Sequence, residues 1–207
     1  MQRPPTKDTG PKYDGHDVPR ELNIIVCVDN RLGFVKNGRI PWNFKKDFKH
    51  FQKTTKEHYC IMGRGTFEDM MRMVEKRKDR SLRYMESPLP GRTPIVLSRN
   101  PNYTANGMQV FSDLRQATDS LDDKEKKIFI LGGSKLWIEA LPDTTTIYMT
   151  MIDRSYDCDQ FFPGCGIHPD YLAKNFDIVD GKKVKTSRRK DARELTFLEM
   201  KRCLKQS

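Results

Sequence analysis

The stretch that decides the fold is IFILGGSKLWIEAL at residues 128–141, where a short apolar run passes through two glycines into a helical pattern. An apolar, β-branched run of this length is typical of a strand buried on both faces. The segment YCIMGRGT at residues 59–66 has the same order. Glycines at such turns leave the backbone amides at the start of a helix accessible, and these amides favour the binding of a phosphate. Two such turns favour a nucleotide site, although neither matches GxGxxG or GxxxxGK[ST].

Similar strands and helices alternate along the rest of the chain. Alternation of this kind indicates an α/β sheet that is largely parallel. A long polar segment that starts with Asp180-Gly181 joins the last two strands. It resembles a hairpin, which makes the sheet mixed. The further strands are predicted at 22–28, 95–98, 147–152, 176–179 and 195–199, and the helices at 44–54, 66–77, 113–120 and 134–141.

Length and composition predict one domain with polar additions. The chain has 207 residues and a formal net charge of +10, with 32% charged and 36% hydrophobic residues. Residues 1–20 are rich in proline and polar residues, which predicts a flexible tail. Residues 21–203 form the predicted domain. The basic insertion at 71–88 is interpreted as an exposed surface loop, with a partner-binding or lid role as the alternative.

Several classes of protein are excluded by residue usage. The five cysteines form no CxxC pair and the four histidines no HExxH motif, so neither a disulfide framework nor a metal site is expected. The apolar runs are far shorter than the roughly 20 residues of a membrane span, and no secretory signal is visible, so we expect a cytoplasmic protein. The positive charge indicates an anionic partner. Few aromatic residues lie among the basic clusters, which favours a phosphorylated cofactor over nucleic acid.

A third segment, GRIPWNFKKDFKHF at 38–51, places an acid among aromatic residues. Asn43 is a predicted N-cap, and Asp47 and Phe51 share one face of the following helix. Asp47 is either a pocket acid or a first-turn acid favoured by the helix dipole, with the phenylalanines as core. In the second helix, Thr66 is a predicted cap, with Asp69 completing a variant capping box.

Taken in order, these motifs resemble the dihydrofolate reductase family. The resemblance covers residues 22–200 and implies a single-domain, mostly parallel eight-stranded sheet with an antiparallel C-terminal strand, flanked by four helices. It also implies reduction of 7,8-dihydrofolate to tetrahydrofolate by NADPH, with hydride addition at C6 and protonation at N5. The motifs are GRIPW at 38–42 followed by Asp47, MGRGTF at 62–67, LPGR at 89–92, IVLSRN at 95–100, ILGGSKLWIEAL at 130–141, YMTMID at 148–153 and DCDQFFP at 157–163.

The resemblance also implies roles on the substrate side. Asp47 matches the acid that holds the pterin and favours protonated N5, Thr150 its hydroxyl partner, and Trp42 the residue that holds a nearby water. Arg92 matches the arginine that forks onto the glutamate carboxylate of the substrate. The remaining implied substrate-binding residues are Ile25, Phe48, Phe51, Met70, Leu89 and Leu131.

On the cofactor side, the resemblance implies two phosphate turns, a ribose-phosphate pocket and nicotinamide neighbours. The implied cofactor-binding residues are Cys27, Ile40, Arg64, Gly65, Thr66, Ser98, Arg99, Gly132, Gly133, Ser134, Lys135 and Trp137. Three positions depart from the common family pattern: Trp137 stands for a tyrosine, Val35 for a glycine and Asp69 for a serine. The indole of Trp137 either fills the space of the tyrosine or is built into this particular pocket.

The implied partners are dihydrofolate and antifolates such as methotrexate. We expect a monomer that binds neither membranes nor nucleic acid. Two alternatives stay open. One is a related pterin or pyrimidine reductase of the same fold, such as the reductase of riboflavin synthesis, against which Asp47 and Arg92 argue. The other is a catalytically weakened relative that binds folate or RNA through its basic loops.

Overall fold

The apolar runs of the sequence form the centre of one eight-stranded sheet in the computed structural model, which describes residues 21–75, 87–167, 170–187 and 192–203. The strands are β1 Leu22–Val28, β2 Gly33–Val35, β3 Tyr59–Gly63, β4 Thr93–Leu97, β5 Gln109–Phe111, β6 Ile128–Gly132, β7 Thr144–Ile152, β8 Gln160–Phe161, β9 Phe176–Lys185 and β10 Glu194–Arg202. The helices are α1 Lys45–Thr55, α2 Arg64–Glu75, α3 Leu114–Asp119, α4 Ser134–Ala140 and the short α5 Tyr171–Asn175.

The order of strands across the sheet is β5-β4-β3-β6-β1-β7-β10-β9, and β2 pairs with β8 in a separate ribbon. Strands β1, β3, β4, β5, β6 and β7 pair in parallel, whereas β10 runs antiparallel to both of its neighbours. The predicted α/β class, the eight strands and the antiparallel last strand are confirmed.

Two apolar clusters cover the two faces of the sheet because successive strand residues point to opposite sides. On one face Ile24 and Val26 of β1 join side chains of α3 and α4, including Leu114 and Leu136. On the other face Ile25 joins side chains contributed by α1 and α2. The implied substrate residues belong to this second cluster.

Both predicted helix caps are wrong. Helix α1 begins at Lys45 with the extended residue Phe44 as its N-cap and no side-chain capping bond, so Asn43 lies outside the helix. Helix α2 begins at Arg64, directly where β3 ends, which places Thr66 inside its first turn. Asp69 pairs instead with Arg72, three residues further along α2.

The final hairpin is confirmed, but the segment that joins its two strands does not start at Asp180-Gly181. Strand β9 continues to Lys185, and Gly181 pairs with Leu198 inside the ladder. A Cβ added at Gly181 would lie 3.4 Å from Leu198 Cδ2, so this glycine packs against the Leu198 side chain within the hairpin. The ribbon strands β2 and β8, the edge strand β5 and helix α5 were not predicted because they are too short to show a period.

Two predictions fall largely outside the described residues. The tail at 1–20 is one, and the insertion at 71–88 is the other, apart from residues 71–75, which belong to α2, and residues 87–88. Among the helices that the structure describes, none has both the length and the apolar character needed to cross a membrane.

Candidate active site

The carboxylate of Asp47, in the first turn of α1, lies beside the neighbouring strands β1 and β7 of the sheet. Its partners come from two neighbouring parallel strands, since Cys27 of β1 and Thr150 of β7 are paired in register. The Thr150 hydroxyl and the Cys27 thiol both lie near the carboxylate, and the Trp42 side chain lies near the same thiol. We call Asp47, Thr150, Cys27 and Trp42 the acid site.

Burial controls the protonation of the acid site. Loss of water raises the pKa of Asp47, while hydrogen bonds from Thr150 and Cys27 and the nearby His50 act in the opposite direction. The pKa of Cys27 is raised well above its ordinary value by burial and by the Asp47 charge, so the thiol keeps its proton. The acid therefore holds a proton at higher pH than an ordinary carboxyl.

The rim of the acid site is aromatic. Trp42 meets Tyr156 edge to face with ring centroids 5.1 Å apart. His50, one turn after Asp47, stacks on Phe197 of β10 at 4.2 Å, and burial lowers its pKa. These contacts fix the start of α1 against the sheet, which holds the acid in place.

An apolar wall continues from the acid site along the same face of the sheet. Its members are Ile25, Leu131 and Leu89, which are buried, and Phe51 and Met70, which are partly buried against them. Phe48 is 43% exposed and stacks on Phe51 at 6.3 Å. The structure thus brings the implied apolar substrate residues to one surface beside Asp47.

Arg92 lies at the end of this wall in a fixed orientation. Its Nε–H donates to Thr55 Oγ1 at 3.0 Å, and the Thr55 hydroxyl donates to the Phe51 carbonyl at 2.8 Å. The guanidinium carbon lies 5.6 Å from the centroid of the Phe51 ring. Burial lowers the pKa of Arg92, so this cation lacks much of its water. A guanidinium held in this way can donate two parallel hydrogen bonds to a planar carboxylate.

A different surface forms where β4, β3 and β6 end side by side. The ladder pairs Gly63 with Leu97 and Met62 with Gly132, so these strand ends lie at one level. Helix α2 starts directly after Gly63, and α4 starts at Ser134 after a cis Gly132-Gly133 peptide. We call these three strand ends the glycine edge.

A close contact and the backbone conformation together require glycine at position 132 of the glycine edge. A Cβ on Gly132 would lie 2.8 Å from the Trp137 ring, and the φ of Gly132 is +113°. A Cβ on Gly63 would lie 3.7 Å from the Gly133 amide nitrogen. Beside Gly65 nothing approaches within 4 Å of that position, so open space adjoins the start of α2.

The polar residues implied for the cofactor are placed around this edge. Arg64 is exposed and pairs with Glu68 at 3.6 Å. Ser98 follows β4, where its hydroxyl accepts the amide of Asn100, and Arg99 is exposed beside it. Thr66 and Lys135 lie in the first turns of α2 and α4.

Three other implied or departing residues are not part of this exposed polar set. Trp137 is 5% exposed in the core on the opposite face, and its indole N–H donates to the Ile130 carbonyl at 3.4 Å. Ile40 is 52% exposed in the segment before α1. Val35 lies in β2, packed against the core, and its carbonyl accepts the amide of Asp159.

Two structurally important polar residues were missed in the sequence. Thr55 orients Arg92, and its place eight residues after Asp47 on one helix face could have indicated this. Asp29 is buried and accepts the amides of Gly33 at 2.8 Å and Tyr156 at 3.0 Å, which ties the loop after β1 to the loop after β7. No sequence signal predicted that tie, because its partners are 127 residues apart.

The chain is an α/β protein with a partly buried acid, an oriented arginine and glycine turns at parallel strand ends. The family model described as "Dihydrofolate reductase" matches residues 21–82 and 80–202, which is nearly all of the described chain. The chain therefore belongs to the dihydrofolate reductase family.

Individual relatives agree with this assignment. The chain is 37% identical over 152 residues to dihydrofolate reductase type 3 of Salmonella typhimurium, covering 73% of this chain and 80% of the relative. It is 33% identical over 156 residues to the dihydrofolate reductase of Schistosoma mansoni, covering 69% and 77%. A solved structure of the Enterococcus faecalis enzyme, complexed with NADP(H) and RAB-propyl, superposes with a TM-score of 0.71 at 27% identity, covering 88% of this chain and 96% of that one.

Proposed function

We propose that this protein reduces 7,8-dihydrofolate to 5,6,7,8-tetrahydrofolate with NADPH. The observation that carries the proposal is Asp47, a carboxyl held by Thr150 at one end of an apolar wall that has Arg92 at its other end. A pterin ring, a benzoyl ring and a glutamate follow one another in the substrate in the same order. Family membership supports the assignment.

The acid site binds and polarises the pterin. The Asp47 carboxylate accepts hydrogen bonds from the 2-amino and N3 groups, which replace the water lost on burial. Its negative charge then favours a proton at N5, while Thr150 keeps the carboxylate in one orientation. Trp42 holds a water near this end of the pocket.

The apolar wall and Arg92 position the rest of the substrate. Phe51, Met70 and Leu89 contact the pterin and benzoyl rings, and Phe48 covers them from α1. The guanidinium of Arg92, fixed at Nε by Thr55, forks onto the glutamate carboxylate. Holding both ends of the substrate fixes the ring between them.

The glycine edge fits a dinucleotide. Phosphate groups fit the open space beside Gly65 and the two glycine turns. Arg64, Arg99 and Lys135 are exposed around them. When bound, NADPH supplies the hydride. The named complex of the Enterococcus faecalis relative with NADP(H) supports the same cofactor for this chain.

A steady-state assay tests the proposal. Absorbance at 340 nm should fall when the protein, NADPH and dihydrofolate are mixed, and methotrexate should stop the reaction. Turnover of a different pterin or pyrimidine substrate, with none of dihydrofolate, would identify a related reductase instead. Methotrexate binding without any turnover, or salt-dependent retention on RNA, would identify the weakened binding relative.

A further inference from the structure

Asp29 is a buried acid that belongs to neither the acid site nor the glycine edge. It follows β1 directly and is 1% exposed. Its Oδ1 accepts the backbone amides of Arg31 and Gly33, both at 2.8 Å, and its Oδ2 accepts the amide of Tyr156 at 3.0 Å. Burying a carboxylate is costly unless donors replace its water, and here three backbone N–H groups do so.

The bond from Oδ2 joins two segments that are far apart in the chain. Arg31 and Gly33 follow β1, whereas Tyr156 lies after β7, 127 residues from Asp29. Gly33 fits closely at this point, because a Cβ there would lie 2.5 Å from Cys158 Cβ and 3.1 Å from Asp29 Oδ1. The two segments are therefore in direct contact, and the Asp29 carboxylate bridges them.

Tyr156 extends from this bridge to the acid site. Its ring meets the indole of Trp42 edge to face, with centroids 5.1 Å apart and planes at 61°. The guanidinium carbon of Arg154 lies 5.9 Å from the centroid of the same tyrosine ring. Because the Tyr156 amide is bonded to Asp29 while its ring contacts Trp42, a shift of the backbone at Tyr156 changes the surface against which the indole packs.

We infer that Asp29 is a positioning residue for the proposed reaction, one that acts through Tyr156 on the indole of Trp42. This inference deepens the proposed function and rests on it for its kinetic part. Asp29 itself is buried beneath the two segments, so its effect reaches the acid site only through the tyrosine.

An amide at position 29 breaks the bridge selectively. In Asp29→Asn one oxygen remains for the amides of Arg31 and Gly33, but an NH₂ group takes the place of the second oxygen and faces the N–H of Tyr156. Two donors cannot bond each other, so the bond to Tyr156 is lost. Asp29→Ser also lacks an oxygen that reaches Tyr156 and places no second donor there.

The position of the indole is measured by ¹⁹F NMR of the full-length protein labelled with fluorotryptophan. The chain has two tryptophans, so the spectrum contains two signals, which Trp42→Phe assigns. We expect Asp29→Asn to shift the Trp42 signal by more than its linewidth. The Trp137 signal, from a ring in the core, reports that each variant is folded.

Tyr156→Leu shows whether the effect passes through the tyrosine ring. In that background Asp29→Asn should move the Trp42 signal no further, because the ring that transmits the shift is gone. Asp113→Asn is the matched control, since the Asp113 carboxylate also accepts a backbone amide, that of Gln116 at 2.9 Å, at the start of α3. It should leave the Trp42 signal unchanged.

Three results would overturn the inference. The first is an unmoved Trp42 signal in folded Asp29→Asn. The second is an equal shift with and without the Tyr156 ring, which would come from general loosening. The third is a failure of both Asp29→Asn and Asp29→Ser to fold, which would make Asp29 a residue of stability alone. If only Asp29→Asn fails to fold, Asp29→Ser supplies the same comparison.

Kinetics supply the second readout. Asp29→Asn should lower kcat for dihydrofolate by about 3- to 10-fold, the scale of one lost hydrogen bond, and should cause no further loss in Tyr156→Leu. An unchanged kcat despite a moved Trp42 signal would also overturn the positioning role. A shift that depends on Tyr156, in a protein that reduces no dihydrofolate, would confirm the link from Asp29 to Trp42 and remove only the proposed function.

Discussion

The acid site and the glycine edge differ in what holds them together. At the acid site, side chains from α1, β1 and β7 meet around a single carboxyl. At the glycine edge, the Trp137 ring packs against Gly132, and the charged residues are exposed. Substitutions at the acid site should therefore change chemistry, whereas substitution of exposed cations at the glycine edge should change only selectivity.

The largest effect is expected at Asp47. Asp47→Asn nearly keeps the shape of the side chain but removes the charge that favours N5 protonation. The rate of dihydrofolate reduction at pH 7 should fall by about 10²-fold or more. The loss should shrink at low pH, where solvent supplies the proton, and a pH series of kcat measures this.

The control for that experiment is Asp69→Asn, which removes an exposed carboxylate that pairs with Arg72 on α2. Its rate should stay near that of the wild type. If Asp47→Asn reduced dihydrofolate at the wild-type rate at pH 7, Asp47 would have no part in the mechanism. The acid site and the glycine edge would then not differ in their effect on the chemistry.

Arg92 tests the far end of the apolar wall. Arg92→Leu should weaken dihydrofolate binding by about 10- to 150-fold, since a guanidinium–carboxylate pair contributes about 1.5–3 kcal/mol. Binding of NADPH, measured by fluorescence titration, should hardly change. Thr55→Val keeps the cation but removes its Nε acceptor and should weaken dihydrofolate binding by only about 3- to 10-fold. Equal weakening of both ligands by Arg92→Leu would show that the arginine serves another purpose.

The glycine edge is tested by its exposed arginines. NADPH and NADH differ only by a ribose 2′-phosphate, and Arg64 and Arg99 follow two adjacent strand ends. Replacing both by Gln should raise KM for NADPH by about 10- to 100-fold, through the loss of charge-assisted bonds, and change KM for NADH little. High salt should reduce the difference in the wild type.

A variant with Arg115→Gln and Lys174→Gln removes the same number of exposed cations elsewhere, each paired with a carboxylate on its own helix. It should keep the preference for NADPH. Full NADPH preference in the Arg64 and Arg99 double variant would place the phosphate pocket at another part of the molecule.

Trp137 should affect stability rather than rate. Its ring meets Phe34 and Phe162 edge to face at 4.9 and 5.3 Å, and its N–H reaches the Ile130 carbonyl. Trp137→Tyr should leave a cavity and lower the free energy of unfolding by about 1–3 kcal/mol, measured by urea denaturation. The kcat should stay within a few-fold of the wild type. A large fall in kcat with an unchanged free energy of unfolding would indicate that Trp137 contributes to the cofactor site.

The strands of the sheet could be predicted wherever they were long and buried, as with β1, β3, β6 and β7. The ribbon strands β2 and β8 could not, because strands of two or three residues carry no period. They depend on pairing with a distant segment of the chain, as Val35 pairs with Gln160. The caps at Asn43 and Thr66 were wrong for a related reason. Capping propensity favours Asn43 and Thr66, but each helix starts where the preceding segment ends. Helix α1 follows the extended residue Phe44, and α2 follows β3.

The sequence by itself determined the α/β class and the order of the motifs, and it indicated Asp47 as the candidate acid, because hydrophobic runs, glycine turns and Asp47 are local features. Only the tertiary structure decided which groups touch that acid. Cys27, Asp47 and Thr150 are far apart in the chain and meet because β1 and β7 pair in register under α1. It also decided that Thr55 orients Arg92 and that Trp137 belongs to the core. Contacts of this kind arise from strand pairing and helix placement, which no single segment of the sequence encodes.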